Sequence, residues 1–284
     1  MAQQEQRLIR NISDTALWVA VFRARESERQ DALFKDPFAR KLAGERGEQI
    51  AKGMQAGLRY EWPYTARTVR FDQIITEQIK QGTDMVVNLA AGLDTRPYRM
   101  GLPSSLQWIE VDFPAMIDYK KEILAEEKPR CVLERVPLDL SDVNGRRALF
   151  QRLGRNARKV LVVTEGLLVY LTRDEVSALG RDLAAQTSFR DWAIDLCSPG
   201  LLKMLQKNLG ALSEAGSPLK FGPEEGPEFF LPSGWKAVDV YSMLKTAAKI
   251  KRLPFFLWLM SFLPESDGRQ GSRPWGAVCH LTRL

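Results

Sequence analysis

Histidine is almost missing from this chain: among 284 residues there is one, His280. That scarcity removes most of the apparatus for histidine-based metal sites and for Ser-His hydrolysis, and no G-x-S-x-G turn occurs either. Cysteine is also sparse. Cys131, Cys197 and Cys279 lie far apart and form no C-x-x-C, which argues against a zinc site or a disulfide framework, fits a reducing compartment, and leaves each as a small core residue. No metal is expected. Long apolar runs are lacking as well. The longest, LPFFLWLMSFL from Leu253 to Leu263, has eleven residues, too few to cross a hydrocarbon layer of about 30 Å. The N-terminal MAQQEQRLIRN carries charge without a following apolar stretch, so it does not read as a secretory signal. A cytoplasmic protein with no membrane partner is the expectation. Nor is there a basic tract: 41 Lys and Arg interleave with 35 Asp and Glu, so the pI of about 9.2 favours anionic partners only weakly, and no nucleic-acid partner is expected.

What is present is a 45 % hydrophobic chain of a length suited to one large α/β domain. Ser13-Asp14 can cap a first helix with Leu17, Val21 and Ala24 at helical spacing, and a second helix is predicted from Tyr64 to Gln81, with Arg67 and Arg70 one turn apart. From Met85 onward strands and helices alternate. MVVNLAAG, LQWIEVDF, CVLERVPLDL, KVLVVTEG and RDWAIDLC read as five strands. PAMIDYKKEILAEE, SDVNGRRALFQRL and TRDEVSALGRDLAAQ read as the helices between them. Such alternation predicts right-handed crossovers and a mostly parallel sheet covered on both faces. Residues 210 to 234, rich in glycine and proline, read as a long loop or cap. WKAVDVYS and the terminal WGAVCHLTRL remain as two further short strands.

Ligands of open parallel sheets bind beyond the carboxyl ends of the strands. Those ends are acidic here. The first strand ends at Gly92, which makes room for a ligand, with Asp94-Thr95-Arg96 after it to brace the turn. The second ends at Asp112, twenty residues further on, the separation at which an acid usually grips the ribose hydroxyls of a nucleoside ligand. Asp139-Leu140 and Glu165-Gly166 close the third and fourth. A pyrophosphate would need a glycine-rich turn, but the turn reads Ala90-Ala91-Gly92-Leu93-Asp94, with no G-x-G-x-x-G. Carboxylates at four strand ends suit a ligand with a nucleoside, no phosphate and some positive charge, and S-adenosyl-L-methionine has those properties. Each residue also has a plainer reading: Gly92 as a tight turn, Asp112 as a helix cap, Asp139 as a turn former, Glu165 as a strand-end acid. An NAD-dependent oxidoreductase would share the sheet and Asp112 but needs the missing glycines. A non-catalytic cofactor-binding protein would keep the carboxylates and lack an acceptor pocket.

The strings NLAAGLDTRPYR, WIEVDFP, PLDLSD and TEGLLVYLT, with DTALWVAVFRARESE, LFKDPFA, PYTAR and the Gly234-Trp235 pair, resemble the leucine carboxyl methyltransferase family, in particular its bacterial small-molecule O-methyltransferases of polyketide pathways. The likeness covers most of the chain. It implies a class I, Rossmann-like α/β fold: a seven-stranded, mostly parallel sheet with the last strand antiparallel, a helical extension over 1–82, a cofactor-binding core over 83–198, a helical cap or insert with strand six over 199–265, and the final strand in 266–284. It also implies S-adenosyl-L-methionine as cofactor, with Gly92 under the methionine portion, Asp112 on the ribose, Asp139 and Leu140 at the adenine edge, Glu165 at the amino end and Arg67 on the carboxylate, which a guanidinium grips with two hydrogen bonds. As an alternative, Arg67 is a solvent-facing helix residue. Arg23 is a further candidate for the cofactor carboxylate.

Methyl transfer to a carboxylate needs no general base at neutral pH, whereas a phenol with a pKa near 10 does. His280 lies in the last strand pattern and reads as structural. Tyr170 lines the acceptor pocket or packs in the core. The loop 210–234 and the apolar helix 253–263 are the candidates for acceptor cover, with core packing or a homodimer face as the alternatives for the helix. The expected activity is O-methylation of a small, aromatic or polyketide-like carboxylate or hydroxyl, with methylation of a protein C-terminal carboxylate as the alternative.

Overall fold

The computed structural model describes residues 13–53, 60–208, 218–264, 271 and 273–284. The N-terminal stretch read against a signal peptide and the 210–217 part of the glycine-rich segment lie outside the described residues. Helices α1 (Ser13–Glu28), α2 (Ala39–Gly53) and α3 (Trp62–Lys80) precede the first strand. There follow β1 (Met85–Leu89), α4 (Arg96–Arg99), β2 (Gln107–Asp112), α5 (Pro114–Ile123), β3 (Val132–Pro137), α6 (Val143–Asn156), β4 (Val160–Thr164), α7 (Arg173–Ala184) and β5 (Phe189–Cys197). The chain closes with α8 (Pro199–Asn208), β6 (Trp235–Ser242), α9 (Met243–Lys249), α10 (Phe255–Met260) and β7 (Gly276–Arg283).

All seven strands join one sheet in the order β3-β2-β1-β4-β5-β7-β6, and β7 runs antiparallel to both neighbours. The chain turns back between β1 and β4, which pair in parallel from Met85 with Val160 onward. That reversal opens a crevice at their carboxyl ends. β1 and β4 are buried along their whole length, as expected for strands covered on both faces. The strand period of two divides them: Val86, Trp108, Leu161 and Val163 pack with Phe71, Ile74 and Ile75 of α3, while Val87, Leu89, Ile109, Val111 and Val162 pack with Phe150 of α6 and Leu179 of α7. Trp18, Val21 and Phe22 of α1, Leu42 and Ile50 of α2 and Leu93 form a third cluster near the turn after β1. Burying each such side chain is worth about 1.5–3 kcal/mol, so this cluster holds the N-terminal helices beside the crevice.

Several local expectations are refined. α3 begins at Trp62, two residues early, because Pro63 supplies the fixed φ of a first turn. α7 opens with a complete capping box between Thr172 and Glu175. The described end of the glycine-rich segment is ordered: Gly226–Ser233 form 3₁₀ turns that bury Phe229 and Phe230. Of the three cysteines, Cys131 and Cys279 are buried, but Cys197 is only partly so. No described helix is long and apolar enough to cross a membrane.

His280 holds the antiparallel edge. Its Nε2 lies 2.8 Å from Asp191 Oδ1 and its Nδ1 lies 3.4 Å from Asp239 Oδ2. Burial opposes the imidazolium, but the two carboxylates outweigh it and raise the pKa above its ordinary value. The stabilisation is therefore complete below the unfolded pKa of about 6.5 and is lost as pH rises through the folded one. Thermal unfolding followed from about pH 6 to about pH 9 should show this decline in the wild type and not in His280→Gln. Parallel profiles would remove the role.

Candidate active site

The crevice at the carboxyl ends of β1, β2, β4 and β5 opens into a cavity of about 1540 Å³. Pockets for a single drug-sized ligand span roughly 300–1,000 Å³, so there is room for two molecules side by side.

The floor is the turn after β1. Ala90 and Gly92 both adopt left-handed backbone, φ 52° and 49°. For alanine that conformation is strained. Adding a Cβ to Gly92 would place it 3.4 Å from the Ala16 methyl of α1, so the helix approaches this turn to ordinary contact distance. The turn is held from every side. Asn88 donates to Asp94 Oδ2, and the Arg96 backbone N–H donates to Asp94 Oδ1. Thr95 Oγ1 donates to Asp36 at 2.7 Å. Arg23 donates to Asp36 at 2.9 Å and to the Leu93 carbonyl at 2.6 Å. Arg23 thus ties α1 to the turn; it borders the cavity with two of its donors already engaged.

Asp112 stands at the end of β2, 8 % exposed. Its Oδ2 accepts the Gly92 N–H at 2.6 Å and its Oδ1 the Phe113 N–H at 2.7 Å. A carboxylate oxygen has two acceptor sites, so each keeps one for a further donor. Burial pushes its pKa above the usual carboxylate range despite the two backbone amides. Asp139 is exposed, with Oδ1 accepting the Ser141 N–H. The Leu140 carbonyl accepts from Arg146. Both residues line the cavity beyond β3.

At the ends of β4 and β5 the charges interlock. Arg67 Nε donates to Glu165 Oε1 at 3.0 Å and Nη1 to Asp195 Oδ2 at 3.1 Å. Asp195 Oδ1 accepts the Gly166 N–H at 2.7 Å. Arg96, 3 % exposed, reaches Glu165 at 2.8 Å, Asp94 at 3.2 Å and Asp72 at 2.6 Å. Arg99 also pairs with Asp72. Burial works against all these charges, yet their mutual attraction holds Asp94 down at about 2 and raises Arg67 and Arg96. Asp195 is the exception: burial lifts it above the ordinary range in spite of Arg67. Gly166, at φ 73°, lets the guanidinium close in, since a Cβ there would meet Arg67 Nη1 at 3.2 Å.

The structure therefore brings Arg23, Arg67, Gly92, Asp112, Asp139, Leu140, Glu165 and Tyr170 to one cavity. Arg67 is not a solvent-facing helix residue; its neighbour one turn on, Arg70, instead donates to Thr246 and lies over the Tyr241 ring. His280 is bound to Asp191 and Asp239, apart from the cavity lining. Two participants, Asp195 and Asp72, were not singled out from sequence. Asp195 lies within the fifth strand, near its carboxyl end, a position that follows the same strand-end rule. Asp72 gave no signal, because its partners Arg96 and Arg99 are remote in sequence; Arg96 reads with Asp94 and Thr95 as a brace of the turn, and its bond to Asp94 bears that out, but its reach to Asp72 and Glu165 was not legible.

The profile of the family described as leucine carboxyl methyltransferase matches residues 16–184. The chain belongs to the leucine carboxyl methyltransferase family. It is accordingly a class I S-adenosyl-L-methionine-dependent methyltransferase. A protein of Frankia alni named "Putative S-adenosyl-L-methionine-dependent methyltransferase FRAAL3718" is 31 % identical over 251 residues, covering 84 % of this chain and 87 % of that one. A similarly named protein of Streptomyces avermitilis is 28 % identical over 250 residues, with the same coverages. The crystal structure of a "putative methyltransferase" from Thermobifida fusca superposes with a TM-score of 0.57 at 16 % identity, covering 98 % of this chain and 96 % of the other. The same fold is thus seen in a distant sequence. Membership of this family replaces the oxidoreductase and non-catalytic readings.

The donor set fits the cofactor chemically. Asp112 keeps two acceptor positions for a vicinal diol, and the carboxylates at the cavity floor suit a cationic ligand. Arg67 keeps N–H groups beyond the two used on Glu165 and Asp195, since a guanidinium has five.

Replacing Arg67 by Met leaves Glu165 and Asp195 facing each other without their shared cation. Breaking a buried pair in this way costs about 3–5 kcal/mol. Calorimetry should show a clearly lower Tm for Arg67→Met and partial recovery for Arg67→Lys, whose single ammonium cannot span both acids. An unchanged Tm in the Met variant would mean that the pair is not a structural tie.

Proposed function

We propose that this enzyme methylates an oxygen of a small molecule, a carboxylate or hydroxyl on an aromatic or polyketide-like body, and that a carboxylate is the better acceptor. In this reading Asp112 takes the ribose hydroxyls. Asp139 and Leu140 meet the adenine edge. Gly92 gives room for the methionine portion, Glu165 faces its ammonium group, and Arg67, with Arg23 as the further candidate, faces its carboxylate. The cofactor supplies a methyl group on a sulfonium. The acceptor oxygen forms the new C–O bond with its own electron pair while the C–S pair withdraws to sulfur.

The observation that supports the carboxylate is the chemistry of the cavity's other half. It is walled by Tyr64, Val169, Tyr170, Leu201, Phe221 and Met243 among others. Burial raises the phenols of Tyr64 and Tyr170, the latter also hydrogen-bonded to Thr15, and pushes the Cys197 thiol up to about 12. No imidazole lines it among the described residues. A phenol or alcohol would have to lose a proton with little help, whereas a carboxylate arrives ionised. The protein's own contribution is then position and exclusion of water, worth roughly 7–11 kcal/mol when reacting atoms are well aligned. Tyr170, at the junction of the polar and apolar halves, positions the acceptor. The described residues of the cap, 199–208 and 218–264, supply its cover.

Three measurements test this. Asp112→Ala should weaken S-adenosylhomocysteine binding about ten- to a hundredfold, the loss of charge-assisted hydrogen bonds, with the circular dichroism spectrum kept; equal affinity would take Asp112 off the ribose. In the wild type, affinity should fall on acidification at a higher pH than for an ordinary carboxylate, because burial raises Asp112. A panel of apolar acids and phenols with labelled methyl donor should give label that alkali releases, as from an ester. Alkali-stable label alone would assign the hydroxyl instead, and no label from either class would sink the small-molecule reading.

A further inference from the structure

Helix α10 carries two apolar stripes. Phe256, Leu257 and Met260, with Leu263 in the turn beyond, line the cavity. Phe255, Trp258 and Leu259, with Phe262 beyond the helix end, do not. They stand 75 %, 40 %, 55 % and 68 % exposed. Their spacing of three, four and seven residues makes one continuous stripe. Within it Phe255 stacks on Trp258 at 6.1 Å and Phe262 meets the Trp258 ring edge-on at 4.8 Å. A helix apolar on both sides belongs in an apolar setting, and one side of this one faces outward.

The charge around it says which setting. From Met243 to Pro264 the sequence has Lys245, Lys249, Lys251 and Arg252 and no acid, in a chain that elsewhere interleaves the two signs. Arg252 is committed to Glu26 and Asp31. Lys249 and Lys251 are exposed in the segment that leads into the helix. Helix α8 borders the same cavity through Leu201, Met204 and Leu205, buries no residue of its own, and presents Lys203 and Lys207 to solvent. Exposed aromatics beside lysines match the interface of an anionic bilayer, where Trp and Phe sit at headgroup depth and each nearby lysine adds attraction.

We propose that α10 and its lysine-rich approach seat this enzyme on an anionic lipid surface, with the cavity mouth at the membrane. The expectation of no membrane partner rested on the length of the apolar run, which argues against a span and leaves surface contact open. The proposal is independent of the acceptor chemistry, since binding is read without methyl transfer. A homodimer through the same stripe is the competing occupant.

The test is co-sedimentation of the full chain with vesicles of phosphatidylcholine alone or mixed with phosphatidylglycerol, at low and high salt. Binding should be about tenfold stronger to the mixed vesicles and weaken at high salt. The double variant Phe255→Ser/Phe262→Ser, outside the cavity lining, should lose it while keeping its Tm and its affinity for S-adenosylhomocysteine. Lys249→Glu/Lys251→Glu should lose the preference for the anionic lipid. Absence of binding to any vesicle would overturn the proposal, as would binding that the double serine variant retains. A wild-type dimer in sedimentation velocity that the serine variant converts to monomer, without lipid binding, would assign the stripe to a second copy instead.

Discussion

The cavity floor depends on two guanidinium groups, one buried and one partly buried. Arg96, sealed from solvent, is gripped by carboxylates from three separate parts of the chain: Asp72 on α3, Asp94 in the turn after β1, and Glu165 after β4. Arg67 extends the same web to Asp195 on β5. Each charge would be costly alone in this environment and becomes tolerable only with all its partners in place. The web therefore makes one structural unit of a helix from the N-terminal extension and the ends of three strands. It also sets the sign of the site. With Arg99, three guanidinium groups face four carboxylates, Asp72, Asp94, Glu165 and Asp195, so the cluster keeps one net negative charge when all are ionised. A floor of that sign favours a ligand with cationic groups, which is the character of a sulfonium cofactor.

The sheet makes such a web possible. Reversal of strand order between β1 and β4 opens a crevice, and parallel pairing brings the strand ends to one level. The chain must then turn sharply from strand into helix. It does so through left-handed backbone at Ala90, Gly92 and Gly166. Strain at Ala90 persists because the turn is over-determined: Asn88, Arg23, Thr95 and Arg96 all fix it through named bonds. The N-terminal helices serve this end as well, since Ala16 packs on Gly92 and Arg23 reaches the Leu93 carbonyl.

Sequence carried the fold and half of the site, for identifiable reasons. Seven strand patterns were visible because alternation and uninterrupted apolar runs are local properties. Gly92, Asp112, Asp139 and Glu165 followed from their position at strand ends, which the parallel architecture converts into a shared location. What was hidden is what depends on long-range pairing. Arg96 reads as a brace of its own turn, but its burial is not a local property: Asp72 and Glu165 arrive from 24 and 69 positions away. Asp191 and Asp195 are four apart on one strand and alike in pattern. One pairs with His280 and the other with Arg67, a difference set by which end of β5 each occupies. Cys197 looked like a core residue by type, yet β5 ends there and leaves it at the cavity wall.

The two halves of the cavity differ in how firmly they are held. The floor is fixed by buried ion pairs, strained turns and strands buried on both faces. The opposite wall includes α8 and α10, neither of which buries a single side chain. Elements with few buried contacts open at the lowest free-energy cost. On the proposed function, donor binding falls to the firmly held part of the molecule and acceptor admission to the part that opens at the lowest cost. Such a division reconciles two demands of methyl transfer: the sulfonium must be presented in a constant position, while water must be excluded only after an acceptor has entered. If the proposed acceptor fills it, a wall that gains its apolar contacts from that acceptor closes best on the substrate that fits, which places selectivity in the loosely packed half rather than in the ion-braced floor.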